Sequence, residues 1–268
     1  MKKNWILLAA VVLLLVIPAC SLAQFAPGGK TAAEGKLVCS NGLKAAQADL
    51  ESAERAMSDD DFETAEKLYT SALKTDPAYC EAMLGLGDAL RYQERPAEAL
   101  VWYQKLESVD PNDPAIVENL AYTYSMLEKD AEAEKYFNLL IQVEPDNPEG
   151  YYGLGIIYYE KEDPQKALTY FSKAEKIYTE TGSDYLVDAQ YYLGFTYYDL
   201  EDYDKAISYL ELAYDTFSDE AQINYVLGVC HLNTVPPDLQ QAKKYITKAQ
   251  DAGMDIPQDV QDALKDVK

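Results

Sequence analysis

The sequence contains only one histidine, His231, and four cysteines among its 268 residues. A single histidine offers no second partner with which to activate a serine nucleophile or to complete a histidine-based metal site. The cysteines include no Cys-x-x-Cys pair for zinc or redox chemistry, and no glycine-rich phosphate loop follows a strand. The sequence therefore predicts that the protein is not an enzyme and has no catalytic residue, metal or cofactor.

Basic residues are also scarce, since 23 lysines and arginines stand against 46 aspartates and glutamates, for a net charge of −23. A surface of this sign repels nucleic acid and anionic lipid headgroups, so neither is an expected partner. The content of apolar residues, 48%, indicates a folded chain rather than an acidic disordered one. The acidic charge is interpreted as a solvated helical surface, with an acidic docking face as the alternative.

The chain lacks an apolar run long enough to cross a membrane. The run from Trp5 to Ile17 follows Lys2 and Lys3 and stops at Pro18. As a helix it would rise about 20 Å, less than the roughly 30 Å of a hydrocarbon layer. A charged start followed by a short apolar stretch is typical of a signal peptide, which we place at residues 1–23. The protein is therefore expected to be exported, as a periplasmic protein.

Two processing sites remain open. Ser21-Leu22-Ala23 has the small residues of an ordinary cleavage site, and cleavage there would leave Gln24 as the first residue of a soluble protein. Ile17-Pro18-Ala19-Cys20 resembles the lipobox of bacterial lipoproteins, with Pro18 in place of the small or branched residue expected. Lipidation of Cys20 would anchor the protein in a membrane, which it otherwise meets only through the signal peptide.

The sequence is dominated by an internal repeat. A series of small residues recurs at intervals of 34, 34, 34, 39 and 34 residues, at Ala53, Gly87, Ala121, Gly155, Gly194 and Gly228. A second series runs in step with it, at Ala65, Ala99, Ala133, Ala167, Ala206 and Ala242. Large side chains follow the second series by four positions, at Tyr69, Tyr103, Phe137, Phe171, Leu210 and Ile246.

This pattern resembles the tetratricopeptide repeat family, whose 34-residue unit is a pair of antiparallel helices. The resemblance covers residues 46 to about 254 and implies an all-α fold, a right-handed α-solenoid of about six helical hairpins. Small residues such as Gly87 would let the two helices of a unit approach closely, and rings such as Tyr103 would fill the space around that contact. The expected units are 46–79, 80–113, 114–147, 148–181, 187–220 and 221–254.

Local signals place the ends of some helices. Asp60 with Glu63 is predicted to form a capping box, and Asp163 is predicted to cap a helix that begins at Pro164. Five extra residues at about Gly182–Leu186 are expected to extend the second helix of unit four or to form a loop. Residues 24–45 are expected to be a flexible lead, and residues 255–268 a capping helix over the last apolar face, with Val260, Leu264 and Val267 on one side.

The solenoid reading places two cysteines on one edge. Cys39 lies just before the first helix of unit one, and Cys80 begins the first helix of unit two, so we expect a Cys39–Cys80 disulfide in an oxidising compartment. Cys230 is expected to be buried and inert. His231 occupies the place that Tyr124 and Tyr158 fill in other units, so it is interpreted as a packed side chain rather than a general base.

In this family the first helices of the units line the inner, concave side, where one face is free to contact a ligand. Unit two places Asp88 and Arg91 on that face, and units three to six place mostly aromatic residues there. Such a strip is the usual mark of a recognition surface, although the rings could instead pack on the neighbouring hairpin or lie under the last helix. The predicted partner-binding residues are Tyr122, Tyr152, Ile156, Tyr159, Tyr191, Phe195, Tyr198 and Tyr225.

Three functions are compatible with these features. The first is an exported interaction scaffold that binds an apolar peptide or a partner subunit in the aromatic groove. The second is a lipid-anchored envelope lipoprotein with a structural or assembly role, and the third is a carbohydrate-binding protein that stacks sugars on tyrosine. Binding of a partner's C-terminal carboxylates through a lysine is not expected, because the corresponding places hold Leu84, Glu118, Tyr152, Tyr191 and Tyr225.

Overall fold

The computed structural model describes residues 37–267. Within this range the chain forms thirteen α-helices and no strand, so the predicted all-α class is confirmed. The predicted signal peptide at residues 1–23, Cys20 and residues 24–36 of the predicted lead lie outside the described residues. The helices are α1 (Lys44–Ser58), α2 (Phe62–Thr75), α3 (Cys80–Tyr92), α4 (Pro96–Glu107), α5 (Pro114–Met126), α6 (Asp130–Val143), α7 (Pro148–Glu160), α8 (Pro164–Thr181), α9 (Leu186–Asp199), α10 (Tyr203–Phe217), α11 (Ala221–Asn233), α12 (Leu239–Asp251) and α13 (Gln258–Leu264).

The first twelve helices form six hairpins that stack in chain order into an α-solenoid. Each odd-numbered helix packs against the even-numbered helix that follows it, and each even-numbered helix packs against the next hairpin. The odd-numbered helices also touch one another in the pairs α1–α3, α3–α5, α5–α7 and α9–α11, whereas no two even-numbered helices have comparable contact. The odd-numbered helices therefore lie closer together and form the inner, concave side.

The turns inside five hairpins share one backbone feature. A single acidic residue adopts the left-handed conformation in each, with φ between 55° and 60°, at Asp60, Glu94, Glu128, Glu162 and Glu201. The prediction that Asp60 caps the second helix is wrong for this reason. The capping residue of α2 is Asp61, whose side chain accepts a hydrogen bond from the backbone N–H of Thr64. Asp163 caps α8 at Pro164 as predicted.

Close packing of glycine against aromatic rings sets the spacing of the hairpins. A Cβ atom added to Gly87 would come within 2.6 Å of the Tyr103 ring in the same hairpin. A Cβ atom added to Gly153 would come within 2.2 Å of the Phe137 ring, which belongs to the preceding hairpin. Both rings are buried, so each fills a space that exists only because the facing helix position has no side chain.

The start of the described chain is fixed to the first two hairpins. Cys39 and Cys80 form a disulfide, the pairing expected from the sequence, with their Cα atoms 5.3 Å apart. The Asp76 carboxylate accepts hydrogen bonds from the Ser40 hydroxyl at 2.7 Å and from the Leu43 N–H at 3.1 Å. The Ser40 hydrogen bond is the main cause that lowers the pKa of Asp76. Residues 39–43 of the predicted flexible lead are therefore held in place.

The two irregular regions predicted from the sequence are present. Helix α8 is extended to 18 residues and ends at Gly182, which has a φ of +67° and opens the loop to α9. At the other end, Val260 and Leu264 of α13 are buried and Val267 packs beside them, as expected of a capping helix. None of the helices within residues 37–267 is long and apolar enough to cross a membrane.

Candidate partner-binding surface

The aromatic strip predicted from the sequence lies on the inner side of the solenoid and is partly open to solvent. Seven of its eight members have intermediate exposure, so their rings are neither sealed inside the stack nor fully free. These seven lie on α5, α7, α9 and α11 and span four consecutive hairpins. We call them the inner wall: Tyr122, Tyr152, Ile156, Tyr159, Tyr191, Tyr198 and Tyr225.

Phe195 is the exception, and its assignment to the accessible strip is wrong. Only 3% of its surface is exposed. The ring lies 4.6 Å from that of Tyr191 and belongs to the same buried cluster as Val226 and Leu227 of α11. The stacking of α11 directly on α9 therefore covers this position, whereas the equivalent Ile156 of α7 remains partly open.

Tyr192, which the sequence analysis did not single out, joins two hairpins at the centre of the inner wall. Its ring lies 5.9 Å from that of Tyr152 and 5.8 Å from that of Tyr159, both edge-on, and it stacks on Phe171 at 5.2 Å. At the same place α7 has Gly153. The equivalent residue is Gly85 in α3 and Asn119 in α5, so a large ring at this place was a signal in the repeat register. The ring spans the junction that follows the five extra residues.

A single carboxylate organises the start of the inner wall. Glu149 of α7 accepts a hydrogen bond from the hydroxyl of Tyr122, in the preceding hairpin, and another of 2.6 Å from the hydroxyl of Tyr178 on α8. Burial, followed by the charge of Glu149, raises the pKa of both phenols above its ordinary value. The two tyrosines therefore remain neutral donors, and their orientation is fixed before any partner binds.

The tyrosines further along the inner wall also lie beside carboxylates. The Tyr191 hydroxyl donates a hydrogen bond of 2.8 Å to Glu220. Tyr152 has a pKa raised first by burial and also by the nearby charge of Asp188. Burial raises the pKa of the Asp188 carboxyl as well. The surface is thus phenolic and acidic together, rather than simply apolar.

On α3, before the inner wall begins, the inner side has charged residues. Asp88 of α3 accepts a hydrogen bond of 2.7 Å from the buried Tyr103 hydroxyl, and burial raises the pKa of this carboxyl. Arg91 lies over the ring of Tyr92 at 4.7 Å, and its buried Nε atom has no hydrogen-bond partner within the described residues. The aromatic strip therefore begins at α5, after a polar segment on α3.

The capping helix borders the other end of the inner wall. Tyr225 packs against the cluster that contains Val260 and Leu264 of α13, and the charge of Asp259 acts on its phenol. The alternative in which the last helix covers the rings is therefore true only at this end. Tyr152, Tyr159 and Tyr191 have no ring or hydrogen-bond contact with α13.

The remaining candidate residues have structural roles. His231 stacks on Tyr245 with ring centroids 5.6 Å apart, and burial lowers its pKa. Burial raises the pKa of the Cys230 thiol to about 12, so the thiol is poorly reactive at neutral pH. Within residues 37–267 no three histidine, cysteine or acidic side chains are grouped as metal ligands would be.

The architecture is that of a protein–protein interaction scaffold. Tetratricopeptide repeat models match residues 56–121, 116–147, 147–219 and 188–255, so the matches run without a gap from 56 to 255. The chain belongs to the tetratricopeptide repeat family, as its sequence pattern indicates. A comparison with curated proteins finds no match.

Solved structures with the same fold share little sequence with this chain. A chain of the APC/C hetero-tetramer Cut9-Hcn1 has a TM-score of 0.66 at 17% identity, over 82% of this chain and 42% of that one. The present chain thus spans less than half of that protein. Pseudomonas aeruginosa pilF has a TM-score of 0.65 at 18% identity, over 75% of this chain and 88% of that one. YrrB, described as a TPR protein with an unusual peptide-binding site, has a TM-score of 0.55 at 20% identity, over 74% of this chain and 96% of that one. Identities this low show the fold alone.

Proposed function

We propose that the protein is an exported scaffold that catalyses no reaction and holds an apolar peptide segment, or part of a partner subunit, along the inner wall. The observation that carries this proposal is the run of partly exposed rings from Tyr122 to Tyr225 across four hairpins. Partly exposed aromatic surface is costly to leave in water, and a partner that covers it lowers the free energy.

The rings of the inner wall are suited to recognition because they are held in position. Tyr152 contacts the rings of Phe171, Tyr178 and Tyr192, with centroids 5.9 to 6.3 Å apart. A side chain fixed in this way loses little conformational entropy when a partner binds. Tyrosine also combines a large apolar area with a hydroxyl group, a combination that recurs in binding hot spots. YrrB, with the same fold, is described as binding peptide.

Export follows from the signal peptide proposed at residues 1–23, and the Cys39–Cys80 disulfide is consistent with an oxidising compartment such as the periplasm. Cleavage after Ala23 would release a soluble protein, and lipidation of Cys20 would anchor the same scaffold as an envelope lipoprotein. Metabolic labelling with a fatty acid separates the two forms, because only the second incorporates the label. Replacement of Cys20 by serine must then abolish the labelling.

Photo-cross-linking in cells that produce the protein tests the proposed surface. A benzophenone amino acid is placed at Ile156 on the inner wall and, as a control, at Leu212, which is 61% exposed on α10. We expect a discrete protein partner to be cross-linked from Ile156 and not from Leu212.

A second variant, produced in the same cells, has alanine in place of Tyr152, Tyr191 and Tyr225. Its helical circular dichroism and melting temperature are compared with those of the wild type before the partner is recovered. Equal recovery of the partner by a folded triple variant would place binding elsewhere. A chain that binds an oligosaccharide and cross-links to no protein would support the carbohydrate-binding alternative instead.

A further inference from the structure

The charges of the helices are segregated between the two sides of the solenoid. From α5 onward the odd-numbered helices contain no lysine or arginine, whereas every even-numbered helix contains at least one. Acidic residues occur on both sides. On the inner side, from α5 to α11, they are Glu118, Glu149, Glu160, Asp188, Asp199 and, just before α11, Glu220.

Three carboxylates of the inner side form no ion pair with the chain's own cations within the described residues. Within residues 37–267 the six ion pairs all use cations from the even-numbered helices and the turns: Arg95, Lys161, Lys166, Lys176 and Lys205. Glu118, Asp188 and Glu220 belong to none of these pairs. Burial raises the pKa of the Glu118 and Asp188 carboxyls, which means that both anions have lost part of their hydration. The positive charge of Arg91 on α3 acts to lower the pKa of Glu118, which lies at the end of the strip nearest α3.

Within residues 37–267 no cation–π contact involves a ring of the inner wall. In the described part of the chain, lysines lie over the rings of Tyr124, Tyr136, Tyr151, Tyr158, Tyr197, Tyr214 and Tyr245, at 4.5 to 5.8 Å from the centroids. None of these rings belongs to the inner wall. Two rings of the inner wall instead donate hydrogen bonds to carboxylates, Tyr122 to Glu149 and Tyr191 to Glu220, and the charge of Asp188 acts on Tyr152. A π face and a nearby carboxylate both attract a cation.

We propose that the segment held by the inner wall is basic as well as apolar, with lysine or arginine side chains interspersed among apolar ones. Its cations would lie over the tyrosine rings beside Glu118, Asp188 and Glu220, and its apolar side chains would cover Ile156 and Tyr159. This inference rests on the proposed function and adds the partner's chemistry to it. An acidic segment would meet like charge at Glu118, Asp188 and Glu220.

Three synthetic amphipathic peptides of about 18 residues, roughly 27 Å long as helices, provide the test. They share the same leucine and tryptophan positions and carry lysine, glutamine or glutamate at every polar position. Their dissociation constants for the purified protein are measured by titration calorimetry at low and at physiological salt. We expect the lysine peptide to bind at least about tenfold more tightly than the glutamine peptide, and the glutamate peptide to bind most weakly.

General attraction of a cation to an acidic protein must be separated from binding at the inner wall. One triple variant removes three charges from the inner side through Glu118→Gln, Asp188→Asn and Glu220→Gln, which keep the side-chain shapes. The matched control removes three charges from exposed positions of α10 through Asp204→Asn, Glu211→Gln and Asp215→Asn. We expect about a tenfold loss of affinity for the lysine peptide in the inner variant and less than about a twofold loss in the control.

The outcomes distinguish this inference from the proposed function. Equal affinity for the lysine and glutamine peptides, or equal losses in the two triple variants, would overturn the basic partner and leave an apolar one. If binding of the glutamine peptide is lost when Tyr152 and Tyr191 become alanine, the inner wall is still the binding surface. Failure of all three peptides to bind would remove both proposals.

Discussion

Tyr178 donates a hydrogen bond of 2.6 Å to Glu149, and the same carboxylate accepts a second hydrogen bond from Tyr122 of the preceding hairpin. One acidic side chain thereby ties α7 to its own hairpin partner and to the preceding unit. One of these phenols, Tyr122, belongs to the inner wall, so the group that joins the two hairpins also orients part of this surface.

Glu149→Ala is expected to lower the free energy of unfolding by about 1 to 3 kcal/mol, because two part-buried phenols lose a charged acceptor. Gln222 occupies the corresponding place on α11 and is exposed, so Gln222→Ala is the matched control and is expected to change stability by less than about 0.5 kcal/mol. Urea denaturation of both variants measures the difference. Equal effects would mean that the shared carboxylate does not hold the two hairpins together.

The disulfide predicts the number of free thiols. The mature protein, denatured without reduction, should contain one reactive thiol, that of Cys230, because Cys39 and Cys80 are paired. A count of three would contradict the pairing. Since 41 residues separate the two cysteines, the chain-entropy model predicts that Cys39→Ser with Cys80→Ser costs about 4 kcal/mol of stability, measurable by denaturation against the oxidised wild type.

The close contacts of the glycines predict that a single added methyl group lowers stability. Gly153→Ala places a Cβ atom within 2.2 Å of the Phe137 ring, so we expect a loss of about 1 to 3 kcal/mol despite the better helix propensity of alanine. Asn119 holds the equivalent place on α5 and already carries a side chain, so Asn119→Ala serves as control. Thermal unfolding of the two variants gives the comparison, and a Gly153→Ala protein that melts at or above the wild-type temperature would contradict the packing described.

His231 predicts a pH dependence. It stacks on Tyr245 where other hairpins stack two tyrosines, such as Tyr158 on Tyr170. Burial lowers its pKa, so the folded state binds this proton less readily than the unfolded state, whose histidine titrates near about 6.5. The stability that neutral His231 contributes is therefore present above that value and is lost as the pH falls below it and through the lower pKa of the folded state.

Replacement of His231 by tyrosine removes this titration and keeps a stacked ring. We expect the His231→Tyr protein to lose less stability than the wild type between about pH 7.5 and 5, as measured by urea denaturation at each pH. If the stabilities of the two proteins change in parallel with pH, the pKa of His231 is not lower in the folded state than in the unfolded state.

Much of the fold could be predicted from the sequence because the repeat pattern reports packing directly. Gly87 and Tyr103 recur in register since one makes the space that the other fills, and this relation fixes both helices of a hairpin. The turns were less predictable. Left-handed backbone favours glycine, asparagine or aspartate, yet four of the five turns have a glutamate there, so composition gave no sign of which residue caps the following helix.

The candidate site was predicted in outline but not residue by residue. The helical register located the inner side, and Tyr152 and Tyr191 lie there. The register does not show how far each hairpin covers the next. It therefore did not predict that Phe195 is buried while Ile156 is partly exposed. The register also does not give the contacts between hairpins that bring the charge of Glu149 near Tyr122 and that of Asp188 near Tyr152.

Two matched double variants test recognition by the inner wall through their affinity for the partner segment that is cross-linked at Ile156. Ile156→Ser with Tyr159→Ser removes apolar surface from the inner wall, and Val101→Ser with Leu212→Ser removes it from exposed positions on the even-numbered helices. Titration calorimetry should find at least about a tenfold loss of affinity for the first pair and less than about a twofold loss for the second. Equal affinities for the two variants would contradict recognition by the inner wall.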